Sequence, residues 1–262
     1  MAVVETGRAS ARIACADKAS SEEKSAAHQM GLVYIVIAIG FVASLLVQGW
    51  LKTTYARWST VRNSLNMAGA SVARNVLDQN GLRRVAVEMN PGRLSDHYDP
   101  RSKTVSLSAR IYREPSVASA AIAAHESAHA LQDKDEYGPM RLRATLLPIA
   151  QIGERFGPWA AIGGWTLDWP ILIQVGFLMF AAALVFQLLS LPIEFDASRR
   201  AKLELEQIGF DAAQDREGAR KVLRAAAMTY VAGAATAMGH LVFILLFAGR
   251  GLFRRFIPTP KP

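Results

Sequence analysis

Cysteine is nearly absent from this chain, since Cys15 is the single cysteine among 262 residues. One cysteine excludes an internal disulfide framework and is compatible with a reducing compartment. Internal repeats are absent too, which excludes repeat architectures. Charge is sparse, at 20 % of residues against 51 % hydrophobic ones. The chain therefore has an excess of apolar residues for a soluble protein of its length.

The uncharged residues are concentrated in three long stretches. Residues 25–51, 169–193 and 225–249 contain no Asp, Glu, Lys or Arg. Each stretch exceeds the ~20 residues that cross a bilayer core, which predicts transmembrane helices at 31–50, 170–191 and 229–249. A fourth span, 144–166, carries the adjacent pair Glu154-Arg155 at its middle. These two charges should face the helix bundle or a wet cavity, or else the segment is only partly inserted.

The distribution of basic residues predicts the orientation of these helices. Two crossings separate the soluble segments 51–143 and 192–228, so both should lie on one face. They carry 14 and 7 Lys+Arg, against 4 in the N-terminal tail 1–30 and 4 in the C-terminal tail 250–262. An excess of Lys and Arg marks the cytoplasmic side. We therefore expect an integral protein of the cell inner or plasma membrane, with a retained first helix and both soluble segments in the cytoplasm.

The sequence His125-Glu126-Ser127-Ala128-His129 is an H-E-x-x-H motif. It lies in the alanine-rich run 118–131, which has no internal Gly or Pro, and Ser116 is a plausible N-cap before it. Residues four apart share one face of a helix, so both imidazoles can bind one metal ion. Glu126 projects beside them, where a carboxylate can take a proton from a metal-bound water. This pattern predicts a zinc hydrolase.

Catalytic zinc sites normally have three protein ligands and a water, so a third ligand is needed. His97, Glu194 and Asp196 are the candidates. Glu194 begins a charged helical stretch after Leu191-Pro192, where a carboxylate is also favourable simply because it lies near a helix N-terminus. His97 precedes a hairpin turn and can be a ligand, a transition-state donor, or a strand histidine satisfied by a neighbouring aspartate.

Secondary-structure signals place these residues. An amphipathic pattern predicts a helix over 58–77, which Asn80-Gly81 ends. A strand is expected at 85–89, and 94–98 and 104–107 should form a hairpin. Two charged helices, 194–207 and 211–227, should be separated at Gly209.

Four runs of residues together resemble a known family. They are His125 to Asp133, Leu94 to Pro100, Leu191 to Arg199 and Ala227 to Ala232. In order and spacing they are similar to the YugP-type membrane zinc metallopeptidases, which are similar in plan to the HtpX-type membrane proteases. The resemblance extends from about residue 31 to 249.

The resemblance implies a role for four residues: zinc ligation by His125, His129 and Glu194, and base catalysis by Glu126. HtpX-type proteins place an acid four residues after the ligand glutamate, where it orients a histidine. That position is Ser198 here, and Asp196 lies two residues after the glutamate. Either residue can therefore fill this supporting role.

Taken together, the sequence predicts a mainly α, multi-pass membrane protein with about four transmembrane helices and a small zincin-like α+β catalytic domain. Its expected activity is that of a zinc metalloendopeptidase, with Zn²⁺ as cofactor and a zinc-activated water as nucleophile. Polypeptides, including membrane-associated ones, are the expected substrates. His97 and Tyr230 are candidates for the donor that stabilises the oxyanion.

The main alternative is a non-catalytic membrane scaffold that retains a structural zinc site. Such a site requires a fourth protein ligand, for which the sequence offers no obvious residue. A nucleic-acid binder is disfavoured, because the basic residues lie mainly at helix ends and among acids. The sequence leaves the oligomeric state open.

Overall fold

A computed structural model describes residues 38–92, 95–167 and 169–254, together with the single positions 28, 31 and 35. Most of the predicted tail 1–30 and residues 255–262 of the C-terminal tail lie outside the described residues. Their assignments stay predictions.

The described residues are mainly helical, with one small sheet, as the sequence predicts. The elements in chain order are α1 (38–59), α2 (Gly69–Gln79), β1 (Ala86–Asn90), β2 (His97–Asp99), β3 (Thr104–Ser108), α3 (Ala109–Arg113), α4 (Val117–Lys134), α5 (Gly138–Thr166), α6 (Pro170–Gln207) and α7 (Ala213–Arg254). Gly209, with φ of 93°, separates α6 from α7 at the expected position.

Among the described residues, one helix is long and apolar enough to cross a membrane, and it is α6. The prediction of four spans is therefore not confirmed by this criterion. The predicted spans 144–166 and 229–249 are helical throughout, but they lie within the longer helices α5 and α7. The charged pair Glu154-Arg155 makes α5 less apolar than α6.

One predicted helix is wrong in its extent. The amphipathic pattern over 58–77 is interrupted, because α1 ends at residue 59 and α2 begins at Gly69. In the intervening loop, the Asn63 side chain donates to Met67 O at 2.8 Å and accepts from Met67 N at 3.0 Å. Such bonds from a side chain to nearby backbone compete with helical hydrogen bonding.

The sheet has the order β1-β3-β2. β1 runs parallel to β3, and β2 pairs antiparallel with β3, so the predicted hairpin is confirmed. The register places His97 opposite Ser106. β2 thus forms one edge of the sheet that the described residues build.

The motif helix α4 lies at the centre of the core. Ser116 caps it as predicted, since its hydroxyl accepts a hydrogen bond from Ser119 N at 3.1 Å. Seven of its 14 buried residues are alanines, which allow close approach by other helices. At Gly69 in α2, an added Cβ would lie 2.3 Å from Ile111 O, so only glycine fits there. α4 thus packs between α2, α6 and α7.

α6 is continuous through Pro192, which changes the expected surroundings of Glu194. The sequence predicted a carboxylate near a helix N-terminus, but Glu194 lies far inside a helix of 38 residues. A helix-terminal dipole therefore does not account for its position.

Candidate metal centre

Three side chains from two helices meet at one point of the core. His125 and His129 lie one turn apart on α4, and Glu194 faces them from α6. His125 Nε2 lies 3.1 Å from Glu194 Oε2, and His129 Nε2 lies 3.6 Å from the same oxygen. All three donor atoms lie within 4.8 Å of one another, so this group can hold a metal ion.

The spacing and chemistry of these donors fit zinc. A tetrahedral zinc ion with ligands at ~2.0–2.1 Å separates its donor atoms by about 3.3 Å. The two measured distances to the Glu194 oxygen, 3.1 and 3.6 Å, bracket this value. Two imidazoles and one carboxylate are a donor set found in catalytic zinc sites.

Burial and charge act in opposite directions on these groups. Burial favours a raised pKa for Glu194, but hydrogen bonds from His125 and His129 outweigh burial and hold the pKa well below its usual range. Burial favours a lowered pKa for His129, but the Glu194 carboxylate outweighs it and raises the pKa. Glu194 is therefore ionised at neutral pH, as a metal ligand must be.

A fully buried amide, Gln132, supports His129 from the next turn of α4. Its Oε1 lies 2.9 Å from His129 Nδ1. Its Nε2 donates to Ile193 O at 2.9 Å and to Asp196 Oδ2 at 3.0 Å. Both of those partners only accept, so the amide oxygen must face His129 and accept from its Nδ1–H. With Nδ1 carrying this proton, loss of the Nε2 proton makes the Nε2 lone pair available to a metal.

Ser198 and Asp196, the two candidates for orienting a ligand histidine, lie near different histidines. Ser198 Oγ lies 3.5 Å from His125 Nδ1, a long contact. Asp196 reaches His129 only through Gln132, and it also accepts from Arg199 at 2.6 Å and Arg200 at 2.7 Å.

Arg143, near the start of α5, holds the other oxygen of the candidate ligand carboxylate. Its Nη1 donates to Glu194 Oε1 at 2.9 Å. The guanidinium carbon lies 5.6 Å from the Phe186 ring centroid and 5.9 Å from that of Tyr230. Arg143 thus leaves Oε2 of Glu194 facing the two histidines.

Glu126 lies on α4, directly after His125 and three residues before His129. Burial raises the pKa of its carboxyl, and the charges of His125 and His129 oppose this in part. A carboxylate whose pKa lies above the usual range is a better base near neutral pH.

Tyr230 interacts with the candidate metal ligands, whereas His97 is not one of them. Tyr230, on α7, is half-buried and interacts electrostatically with Glu194 and Arg143. His97 is exposed on β2, and its Nδ1 lies 2.8 Å from Ser95 O. Among the described residues, the group that can hold a metal does not include His97.

Sequence reasoning missed two residues of the site, Gln132 and Arg143. Gln132 falls three residues after His129, so it lies close to the same helical face, and that spacing was a usable signal. Arg143 had no such signal, because only the packing of α5 against α6 brings it to Glu194.

Comparisons with known proteins agree with this geometry. Residues 33–249 match the model of the family described as "Putative neutral zinc metallopeptidase". The chain is 38 % identical over 218 residues to the "Putative membrane protease YugP" of Bacillus subtilis (strain 168), which covers 82 % of this chain and 97 % of the relative. No solved structure matches. The chain therefore belongs to the neutral zinc metallopeptidase family that this model defines.

Proposed function

We propose that this chain is a membrane-embedded, zinc-dependent endopeptidase. The observation that carries the proposal is the meeting of the donor atoms of His125, His129 and Glu194 within 4.8 Å, with Glu126 close enough to interact electrostatically with all three. When bound, zinc supplies Lewis-acid polarisation of a peptide carbonyl and lowers the pKa of a water molecule.

Glu126 is the proposed general base. Its place between the ligand histidines lets it take a proton from the attacking water and pass it to the leaving amine. The shift of its pKa towards neutral pH favours both transfers.

Tyr230 is the proposed donor to the oxyanion that develops on the substrate. Its position beside Arg143 and Glu194 supports this role. His97 stays a second candidate, because it lies on the edge strand along which an extended peptide can pair by strand addition. Polypeptides that reach the membrane surface are the proposed substrates.

The membrane placement is supported by exposed apolar faces. On α5, large apolar side chains recur at helical spacing and point away from the fold: Ile149, Ile152, Phe156, Trp159 and Ile162. On the same helix, Glu154 instead accepts a hydrogen bond from Gln187 of α6 at 3.0 Å. Glu154 is exposed, but this bond gives its charge a polar partner on the neighbouring helix, as a charge within a membrane span requires. We therefore retain four spans and a cytoplasmic site as a proposal.

A structural zinc site in a non-catalytic scaffold is the alternative. It requires a fourth protein ligand. In the parts of the chain that the structure describes, the candidate group contains three such residues, which leaves a position for water.

The replacement Glu126→Gln tests the proposed activity. Gln preserves shape but cannot accept the proton, so hydrolysis of an unfolded model polypeptide should fall by roughly 10²–10⁴-fold. Zinc content should stay near that of the parent protein. Glu114→Gln, at an exposed glutamate that pairs with Arg110 outside the site, is the matched control and should cleave normally. Equal cleavage by Glu126→Gln and the parent protein would refute the enzymatic role and favour the scaffold.

A further inference from the structure

A basic cavity lies away from the candidate metal centre, between α1 and α7. Its volume is about 460 Å³. Its walls carry four cationic side chains, two tryptophans and two threonines: Arg57, Arg220, Lys221, Arg224, Trp50, Trp58, Thr53 and Thr54. Neither the metal centre nor the proposed chemistry uses these residues.

The charge in this cavity is largely uncompensated. Lys221 pairs with Glu217 at 2.5 Å, and no other carboxylate makes an ion pair with the cavity wall in the described ranges. Arg57, Arg220 and Arg224 make no ion pair among the described residues, although the charges of Arg57 and Arg220 act on Glu217 at longer range. Four cations face one carboxylate, so the cavity attracts an anion.

A buried ring and a close helix crossing shape the cavity, on whose walls Arg57, Arg220 and Arg224 are exposed. The Trp58 ring is 5 % exposed and forms the floor of the cavity, with the Arg57 guanidinium carbon 5.5 Å and Lys221 Nζ 5.9 Å from its centroid. Gly218 allows α7 to approach this ring, since an added Cβ would lie 2.4 Å from Trp58 Cε3. The two helices are therefore held at one separation, and their basic residues line one cavity.

A threonine hydroxyl in the wall of the cavity is also available to a ligand. Thr54 lines the cavity and is 9 % exposed, yet its hydroxyl has no hydrogen-bond partner among the described residues. The hydroxyl oxygen is accessible rather than buried, so it can donate to a ligand in the cavity. A phosphate oxygen in the cavity would accept from this hydroxyl and satisfy it.

The position of the cavity along the chain indicates the source of the phosphate. Trp50 ends the predicted span 31–50, and Arg224 lies five residues before the predicted span 229–249. At 1.5 Å per helical residue, the basic residues lie within about 14 Å of the apolar boundary along their helices. Tryptophan is enriched at this level, and basic pockets beside membrane helices bind anionic headgroups. We propose that this cavity binds the phosphate headgroup of an anionic phospholipid, an inference that rests on the proposed membrane placement.

The test compares lipid retention by the full chain in nanodiscs that contain equal amounts of phosphatidylglycerol and phosphatidylcholine. Native mass spectrometry counts the lipids that remain bound. The triple variant Arg57→Gln, Arg220→Gln, Arg224→Gln should lose roughly a hundredfold in preference for phosphatidylglycerol, because each basic residue contributes about fivefold near an anionic surface. The matched control Arg83→Gln, Arg84→Gln, Arg113→Gln removes the same charge from exposed positions elsewhere and should retain the preference.

Thr54→Val keeps the size of the side chain and removes its hydroxyl, so it tests the cavity with little risk to folding. It should lower the preference as well. Equal losses in the two triple variants, or no effect of Thr54→Val, would overturn the proposal. Displacement of the lipid by millimolar inorganic phosphate would identify a free anion as the ligand and also overturn it.

The controls separate this inference from the proposed function. If the parent protein enters nanodiscs without any lipid preference, lipid binding in the cavity is contradicted but the membrane placement is not. A parent protein that does not enter nanodiscs contradicts the membrane placement, and with it the cavity.

Discussion

Gln132 joins the metal-binding face of α4 to the backbone and side chains of α6. It is fully buried, and its three hydrogen bonds have lengths of 2.9, 2.9 and 3.0 Å. Its amide therefore fixes the tautomer of His129 and also the distance between the two helices. Partners that orient a ligand histidine in this way normally strengthen metal binding.

Gln132→Leu should therefore weaken zinc binding by about 10–100-fold, because it removes the acceptor for His129 Nδ1–H. Competition with a fluorescent chelator measures the zinc affinity. Ser127→Ala is the matched control, since Ser127 is equally buried on α4 but donates only to Ala123 O. Unchanged zinc affinity in Gln132→Leu, or equal losses in both variants, would show that this amide does not support the ligand.

At the level of residues, the sequence predicted the three metal-ligand candidates and the base that the structure brings together. His125, Glu126 and His129 were accessible because one helical turn sets their geometry. Glu194 required the family resemblance, since nothing in local spacing relates it to α4. Arg143 was missed for the same reason: it meets Glu194 only through the packing of separate helices.

The close packing of α5 against α6 positions Arg143. At Gly153 in α5, an added Cβ would lie 2.4 Å from Met179 O, and at Gly176 in α6 it would lie 2.8 Å from Ala161 N. Both neighbours are backbone atoms, which cannot rotate away. Small residues at such crossings let membrane helices approach closely.

Gly153→Ala should therefore destabilise the protein by about 1–3 kcal/mol, because the methyl group forces the two helices apart. Gly163→Ala is the control on the same helix, since its nearest neighbour is a Leu172 side-chain atom at 3.6 Å. That variant should be neutral or stabilising, as alanine favours a helix. Thermal unfolding in detergent measures both, and equal midpoints would contradict the observed packing.

At the level of elements, local signals predicted the ends of helices better than their continuity. The serine cap of α4 and the glycine break after α6 were correct, because side-chain and backbone geometry act locally there. The break between α1 and α2 was missed, since apolar periodicity continues across it. Ser64 N donates to the buried Asp215 of α7 at 2.9 Å, a distant contact that helps hold this loop.

For the whole molecule, the proposed topology requires the two soluble segments to share one side of the membrane. Only then can α4 and the second half of α6 build one site. This arrangement depends on whether segment 144–166 crosses the membrane. Its hydropathy favours a crossing, whereas the charged pair at its middle opposes one.

Cysteines at Ser102 and Gln214, both exposed, test the topology in a Cys15→Ser background. Both should be protected from an impermeant thiol reagent in intact cells and should react after permeabilisation. Labelling at one position alone would mean that 144–166 does not cross the membrane.

Zinc-edge X-ray absorption of the purified full chain tests most directly whether two histidines and one carboxylate surround one metal ion. The predicted spectrum has two imidazole nitrogens at ~2.0–2.1 Å, one or two oxygens and no sulfur in the first shell. A first shell that contains sulfur, or fewer than two imidazoles, would contradict the site formed by His125, His129 and Glu194.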